Sequence, residues 1–163
     1  MASDTLTTLA TLVGAKLKAQ GVMFAAAESC TGGWVAQTVT AIAGSSDWFD
    51  RGFVTYSDAA KQEMLGVSAR TLASHGAVSE ETAREMATGA LAHSRAQVAV
   101  AITGVAGPGG GSLEKPVGMV CFAWAVKDRA PGAQTRQFKG NRESVRRQSV
   151  IFALQGTLEL LDG

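Results

Sequence analysis

Cysteine and histidine are nearly missing from this sequence of 163 residues: Cys30 and Cys121 lie far apart without a paired motif, and His75 and His93 stand alone. Neither a zinc site nor a disulfide framework is therefore expected. A dominant charge is missing as well. Fifteen lysines and arginines face 14 acidic residues for a net charge of +1. That leaves no field suited to a nucleic-acid backbone, and the few aromatic residues do not interleave with basic ones. No apolar run approaches the roughly 20 residues of a membrane span. The opening "MASDTLTTLATLVGAKLKAQG" lacks a basic start followed by an unbroken apolar block, so the expected location is cytoplasmic. Hydrophobic residues make up 46% and charged residues 18%, which excludes disorder. The length suits one domain, residues 1–163, with a core of its own. What these absences leave is a globular protein whose partner is a small molecule.

The pattern that is present is alternation of helices and strands. Leu6, Leu9, Leu12, Val13 and Leu17 recur at helical spacing, with Ser3 or Asp4 as cap and Gly21 as stop. "VMFAAA" is a short apolar strand, and "ESCTGGWVAQTVTAIAG" a turn opening a helix that runs to Gly44. "RGFVTYS" reads as a strand, "SEETAREMATGALAHS" as a helix capped by Ser79, and "QVAVAIT" as a strand apolar on both faces. The loop "GVAGPGGGSLEKP" leads to a second doubly apolar strand, "VGMVCFAWAV". "QTRQFK" is an edge strand, and a helix from Asn141 to Leu161 closes the chain. The expected fold is α/β, a three-layer α/β/α sandwich around a mixed, mostly parallel sheet.

In open α/β sheets, ligands collect at the carboxyl ends of strands. Polar clusters fall at three such ends: "ESCTGG", "TYSDAAK" and "TGVAGPGGGS". Each glycine loop on its own is equally a plain chain turn. Neither is a phosphate-binding signature: the third cluster has no P-loop lysine, and Gly107, Gly109 and Ser112 only approximate a dinucleotide fingerprint. Thr31, Gly32 and Gly33, opening a helix, offer backbone N–H groups to a phosphate or oxyanion. Arg142, Arg146 and Arg147 crowd the amino end of the last helix, where the macrodipole disfavours cations. Either Glu143 and the solvent offset them, or an anion binds there, with Arg142 best placed.

The stretch "GSSDWFDRGFVTYSDAAK" brings serines, a tyrosine and a lysine together. A lysine acts as general base only if its pKa falls from about 10.4 toward 7 or 8, which costs on the order of 4 kcal/mol. A neutral Lys61 would take the proton of a serine, and Tyr56 would donate to an oxyanion, orient the lysine or relay a proton. The bland alternatives stand beside this: a solvated helix lysine, a tyrosine with a wet tip, and Ser45 and Ser46 as a helix-ending turn. A short-chain dehydrogenase is excluded, because four residues separate Tyr56 from Lys61 where that family has three, and its glycine fingerprint is missing. Trp48, Phe49 and Phe53 are either core or a subunit contact, and a homo-oligomer is expected.

"AESCTGGWVAQ", "AGSSDWFDRGFVTYSDAAKQEMLGV", "HGAVSE", "ITGVAGPGGGSLEKPVG" and "GNRESVRRQ" are similar, in this order and over nearly the whole chain, to the carboxy-terminal domain family of competence/damage-inducible protein A. The resemblance implies the sandwich read above and hydrolysis of the carboxamide of nicotinamide mononucleotide to nicotinate mononucleotide and ammonia, with no metal or cofactor. It implies Ser46 as nucleophile and Lys61 as base, although nothing in the spacing chooses Ser46 over Ser45. Tyr56, Ser29 and Thr103 would line the site, and Arg142 would hold the phosphate. Ser45, Gly104 and Gly107 complete the expected substrate-binding set with Thr31, Gly32 and Gly33. A nucleotide-binding or protein-interaction module that keeps the fold without the chemistry is the alternative.

Overall fold

The computed structural model describes residues 4–163. Its elements are α1 (Asp4–Gln20), β1 (Phe24–Glu28), α2 (Trp34–Thr40), a 3-10 turn (Ser45–Asp47), β2 (Phe49–Val54), α3 (Asp58–Leu65), α4 (Ala69–His75), α5 (Glu80–Ala92), β3 (Val98–Gly104), β4 (Met119–Val126), β5 (Gly132–Gln137) and α6 (Arg142–Asp162). The cap expected at Ser3 lies outside the described residues. Among those residues no helix is long and apolar enough to cross a membrane.

The five strands form one sheet in the order β2-β1-β3-β4-β5. β1 pairs in parallel with β2 and β3, while β4 is antiparallel to both of its neighbours. Four strands therefore share a direction and β4 alone opposes them. The expected mixed sheet is what the chain forms, with two parallel and two antiparallel pairings, and "QTRQFK" supplies its exposed edge.

Each central strand sorts its side chains by size. Phe24, Val98, Val100, Ile102, Val120, Phe122 and Trp124 point to one face, where α1, α2 and α6 pack on them. The opposite face is built from Ala25, Ala27, Ala99, Ala101, Ala123 and Ala125, under Met86, Ala87 and Ala90 of α5. Alternation along a strand separates the two sets. Small residues let α5 approach the sheet closely, whereas the bulky face fills a deeper layer. In that layer the Phe122 and Phe152 rings meet edge-on at 4.8 Å, a geometry worth about 1 kcal/mol beyond burial. Trp48 and Phe53 are buried within the chain, so they are core rather than a subunit contact.

α3 and α4 have no counterpart in the sequence reading, and α2 ends at Thr40 rather than Gly44. Ser57 caps α3 by accepting from the Ala60 N–H at 3.0 Å. This turns the chain after β2 into a helix and carries Lys61 with it. On α3 the buried positions are Lys61 and Leu65, one turn apart. The inward stripe that an amphipathic helix normally fills with apolar residues holds a lysine at one of its two places.

Candidate active site

The carboxyl ends of β1, β2 and β3 lie side by side, and the three polar clusters that follow them meet there. Ser29 is the first residue beyond β1, and its N–H donates to the Ile102 carbonyl of β3 at 2.9 Å. Thr55, the first residue beyond β2, donates its N–H to the Glu28 carbonyl at 2.9 Å. Sheet pairing thus fixes both strand ends relative to each other. Lys61 reaches back from the first turn of α3 into the gap between them.

Only 1% of Lys61 is exposed. Its Nζ donates to the carbonyls of Thr55 at 2.9 Å and Tyr56 at 3.2 Å, and lies 3.0 Å from Ser29 Oγ. Burial lowers its pKa below the ordinary lysine value, opposed by the negative charge of Asp58 and by Cys30. Burial disfavours the charged form of an amine because the interior solvates an ammonium less well than water does. A lysine held this way, in hydrogen-bond contact with a serine hydroxyl, has the geometry of a nucleophile and its base.

A cleft of about 240 Å³ opens over this pair, lined by Ser29, Cys30, Tyr56, Lys61, Val78, Thr103 and Arg142 among others. Cys30 contributes no competing nucleophile, since burial pushes its thiol pKa up to about 12. Thr103 at the end of β3 turns its hydroxyl to the Ala77 carbonyl at 2.8 Å, tying the loop before α5 to the sheet. Tyr56 is 63% exposed at the mouth of the cleft, and its phenolic oxygen accepts from Arg142 Nη2 at 3.3 Å. The other arm of the same guanidinium donates to the Gly107 carbonyl at 2.9 Å. Arg142 therefore joins the tyrosine to the glycine-rich loop. It also lines a second cleft of about 530 Å³, formed with Ala106, Pro108, Asn141 and Glu143 at the amino end of α6. A larger cleft of about 610 Å³ lies elsewhere, along α5, where Arg84 pairs with Glu80 of its own helix.

The family model described as the CinA C-terminal domain matches residues 6–161. The chain belongs to that family. It is 56% identical over 156 residues to a protein of Escherichia coli strain K12 named nicotinamide-nucleotide amidohydrolase PncC, covering 95% of this chain and 94% of the relative. A protein of the same name from Pseudomonas putida is 50% identical over 157 residues, covering 96% and 98%. Among solved structures, competence/damage inducible protein CihA from Agrobacterium tumefaciens superposes with a TM-score of 0.93 at 46% identity, covering 98% of this chain and 96% of that one.

Of the residues that carry the CinA resemblance, the structure gathers Ser29, Tyr56, Lys61, Thr103, Gly104 and Arg142 in one cleft, with Gly107 bonded to Arg142 at its rim. Ser45 and Ser46 are elsewhere. They sit in the 3-10 turn before β2, and Trp48 at its end accepts from the Phe24 N–H at the start of β1. That is the amino-terminal end of the parallel strands, opposite the cleft. β2 is six residues long, which sets about 20 Å between its ends. The expected pairing of Ser46 with Lys61 is therefore not formed, and Ser29 is the serine against the lysine. A strand between two residues sends them to opposite ends of the sheet, whereas residues following adjacent parallel strands become neighbours.

Of the three residues expected to form an anion cradle, Thr31, Gly32 and Gly33, the Gly32 N–H is already engaged within the turn. The Gly32 N–H donates to the Ser29 carbonyl at 3.1 Å and the Trp34 N–H to the Thr31 carbonyl at 3.1 Å, while the Val35 and Ala36 N–H groups in the first turn of α2 go to the Glu28 carboxylate at 2.8 and 3.1 Å. Gly33 takes φ 101° at the helix start, a conformation suited to glycine. These residues shape the turn that presents Ser29. Sequence reasoning missed Glu28 and placed Arg146 only in the arginine cluster of α6, whereas the two bind this turn from its two sides. Their available signals were an acid ending an apolar strand and an arginine one turn beyond Arg142.

Proposed function

We propose that this protein hydrolyses the carboxamide of nicotinamide mononucleotide to nicotinate mononucleotide and ammonia, with Ser29 as nucleophile and Lys61 as general base. The observation that carries the reading is the buried Lys61 Nζ at 3.0 Å from Ser29 Oγ in a cleft at the strand ends. The named activity of the E. coli and P. putida relatives supplies the substrate.

A neutral amine has two hydrogens and one lone pair. The Thr55 and Tyr56 carbonyls engage the hydrogens, which leaves the lone pair for the Ser29 hydroxyl. Ser29 gives its proton to Lys61 as Oγ attacks the carboxamide carbon; the resulting ammonium then protonates the amide nitrogen, which leaves as ammonia. A water molecule, deprotonated by the same amine, attacks the ester on Ser29, and the ammonium returns that proton to the Ser29 oxygen as it leaves. The positively charged pyridinium of the substrate disfavours a protonated neighbour and so adds to the effect of burial on Lys61.

The tyrosine fits the oxyanion. Its oxygen accepts from Arg142, so its own O–H remains available to donate into the cleft, and the nearby guanidinium makes that donor stronger. One preorganised donor of this kind is worth roughly 3 to 4 kcal/mol at the transition state. The second cleft, shared through Arg142, receives the ribose phosphate at the amino end of α6. There the 21-residue helix and the guanidinium favour a dianion.

Incubating the purified protein with nicotinamide mononucleotide, and measuring ammonia with chromatographic separation of the acid product, tests the reading. Stoichiometric ammonia and nicotinate mononucleotide are expected. Tight binding without release of ammonia would replace it with a nucleotide-binding module.

A further inference from the structure

Glu28 and Arg146 touch none of the reacting groups, yet both are fastened to the segment 29–33 that presents Ser29. Glu28 is 1% exposed. Its Oε1 accepts from Thr31 Oγ1 at 2.6 Å and the Val35 N–H at 2.8 Å, and its Oε2 from the Ala36 N–H at 3.1 Å. A buried carboxylate is tolerated when its lone pairs are filled and when it faces the positive end of a helix, and both conditions hold here.

On the other side, Arg146 Nε donates to the Cys30 carbonyl at 3.0 Å and Nη2 to the Thr31 carbonyl at 3.1 Å. The guanidinium carbon lies 5.5 Å from the centre of the Trp34 ring at the start of α2. In a trans peptide the carbonyl and the following N–H point in opposite directions. Carbonyls drawn toward α6 therefore turn the amides of Thr31 and Gly32 away from it, and the Gly32 N–H closes onto the Ser29 carbonyl. An anion holds the segment through the Thr31 hydroxyl and the first turn of α2 that follows it, and a cation holds it through the Cys30 and Thr31 carbonyls.

We propose that Arg146 and Glu28 are positioning residues for the reaction: they clamp the 29–33 turn so that Ser29 Oγ stays within reach of Lys61 Nζ. The proposal rests on Ser29 being the nucleophile. It separates the arginines at the start of α6 by task, with Arg142 facing the cleft and Arg146 the turn.

The test is steady-state hydrolysis of nicotinamide mononucleotide with thermal melts for Arg146→Lys, Arg146→Gln and Glu28→Gln, alongside wild type, Ser29→Ala and Arg129→Gln. Arg129 is exposed beyond β4 at the far end of the sheet, so its variant controls for loss of one positive charge. The expected result is a kcat lower by about tenfold or more in each Arg146 variant, with KM within about threefold and little change in Tm, because a displacement near 1 Å costs up to a hundredfold in rate. Lysine does not rescue, since an ammonium lacks the planar fork that serves two carbonyls while lying over an indole. Glu28→Gln gives the same split, as one acceptor oxygen is replaced by a donor facing an N–H.

If Ser29→Ala is inactive while all three positioning variants keep kcat within twofold, or if only KM rises, the clamp is refuted and the nucleophile stands. Full activity in Arg146→Lys also refutes it. If Ser29→Ala turns over like wild type, the nucleophile reading fails and the clamp falls with it. Should one Arg146 variant lose its melt, the other and Glu28→Gln decide.

Discussion

Replacing Ser29 by alanine and, separately, Ser46 by alanine should give opposite results. Ser29 Oγ lies 3.0 Å from the buried amine of Lys61. Ser46 precedes β2 and Lys61 follows it, so the six-residue strand keeps them about 20 Å apart at about 3.3 Å per residue. Losing the nucleophile of a serine hydrolase removes about 10³-fold or more of the rate, equivalent to roughly 4 kcal/mol of transition-state stabilisation. Ser46 is exposed in its turn, and a surface substitution there changes stability by about 0.5 kcal/mol or less, so activity should stay within about threefold. Ammonia release from nicotinamide mononucleotide, at saturating and subsaturating concentrations, gives kcat and kcat/KM for both variants. Thermal melts establish that both are folded. Collapse of activity in Ser46→Ala, with Ser29→Ala keeping more than a tenth of it, would refute the assignment.

Arg142→Ala should raise KM for the mononucleotide by about 10- to 100-fold, from loss of a charge-assisted hydrogen bond worth about 1.5 to 3 kcal/mol, while the unphosphorylated riboside is affected far less. Equal losses for both substrates would remove the phosphate from the second cleft. Gly89 packs α5 against the end of α3, and a methyl group there would be driven into the Leu65 carbonyl. Gly89→Ala should destabilise by about 3 kcal/mol, lowering Tm by roughly 6 to 12 °C; an unchanged melt would contradict that packing. The Thr55 hydroxyl is fully buried and has no hydrogen-bond partner among the described residues. Thr55→Val keeps its shape, so differential scanning calorimetry should find the protein about 1 kcal/mol more stable, and a loss of that size would mean the hydroxyl is satisfied after all.

Residues with a strong period could be read directly. The leucines of α1, the doubly apolar β3 and β4, and the serine cap of α5 state their own structure, and alternating helices with strands brings the three polar loops to one end of the sheet. α3 escaped notice because its two buried positions are Lys61 and Leu65, and a lysine erases the apolar signal. α4 has no buried residue, so no amphipathic pattern marks it. The expected Ser46–Lys61 pairing does not form because nearness in sequence is not nearness in space. Ser46 and Lys61 flank one strand, and a parallel strand carries its two flanks apart; Ser29 and Lys61 are 32 positions apart yet follow adjacent strands. No local pattern reveals that the Glu28 carboxylate folds back onto the Thr31 hydroxyl and the first turn of the helix that follows.

The most direct test is titration of the Lys61 amine by nuclear magnetic resonance in lysine-labelled protein, assigned by comparison with Lys61→Met and read beside the pH dependence of kcat/KM. Burial lowers its pKa, so the uncharged form that accepts the serine proton should predominate from a pH below the free-lysine value of about 10.4, and the rate should climb with pH and level off at that same point. The depressed value also means that stability contributed by this group falls as pH drops from about 10.4 toward the folded-state pKa, where the unfolded chain binds the extra proton. An amine that titrates at or above the free-lysine value, in a protein still fully active at neutral pH, would contradict the Ser29–Lys61 mechanism.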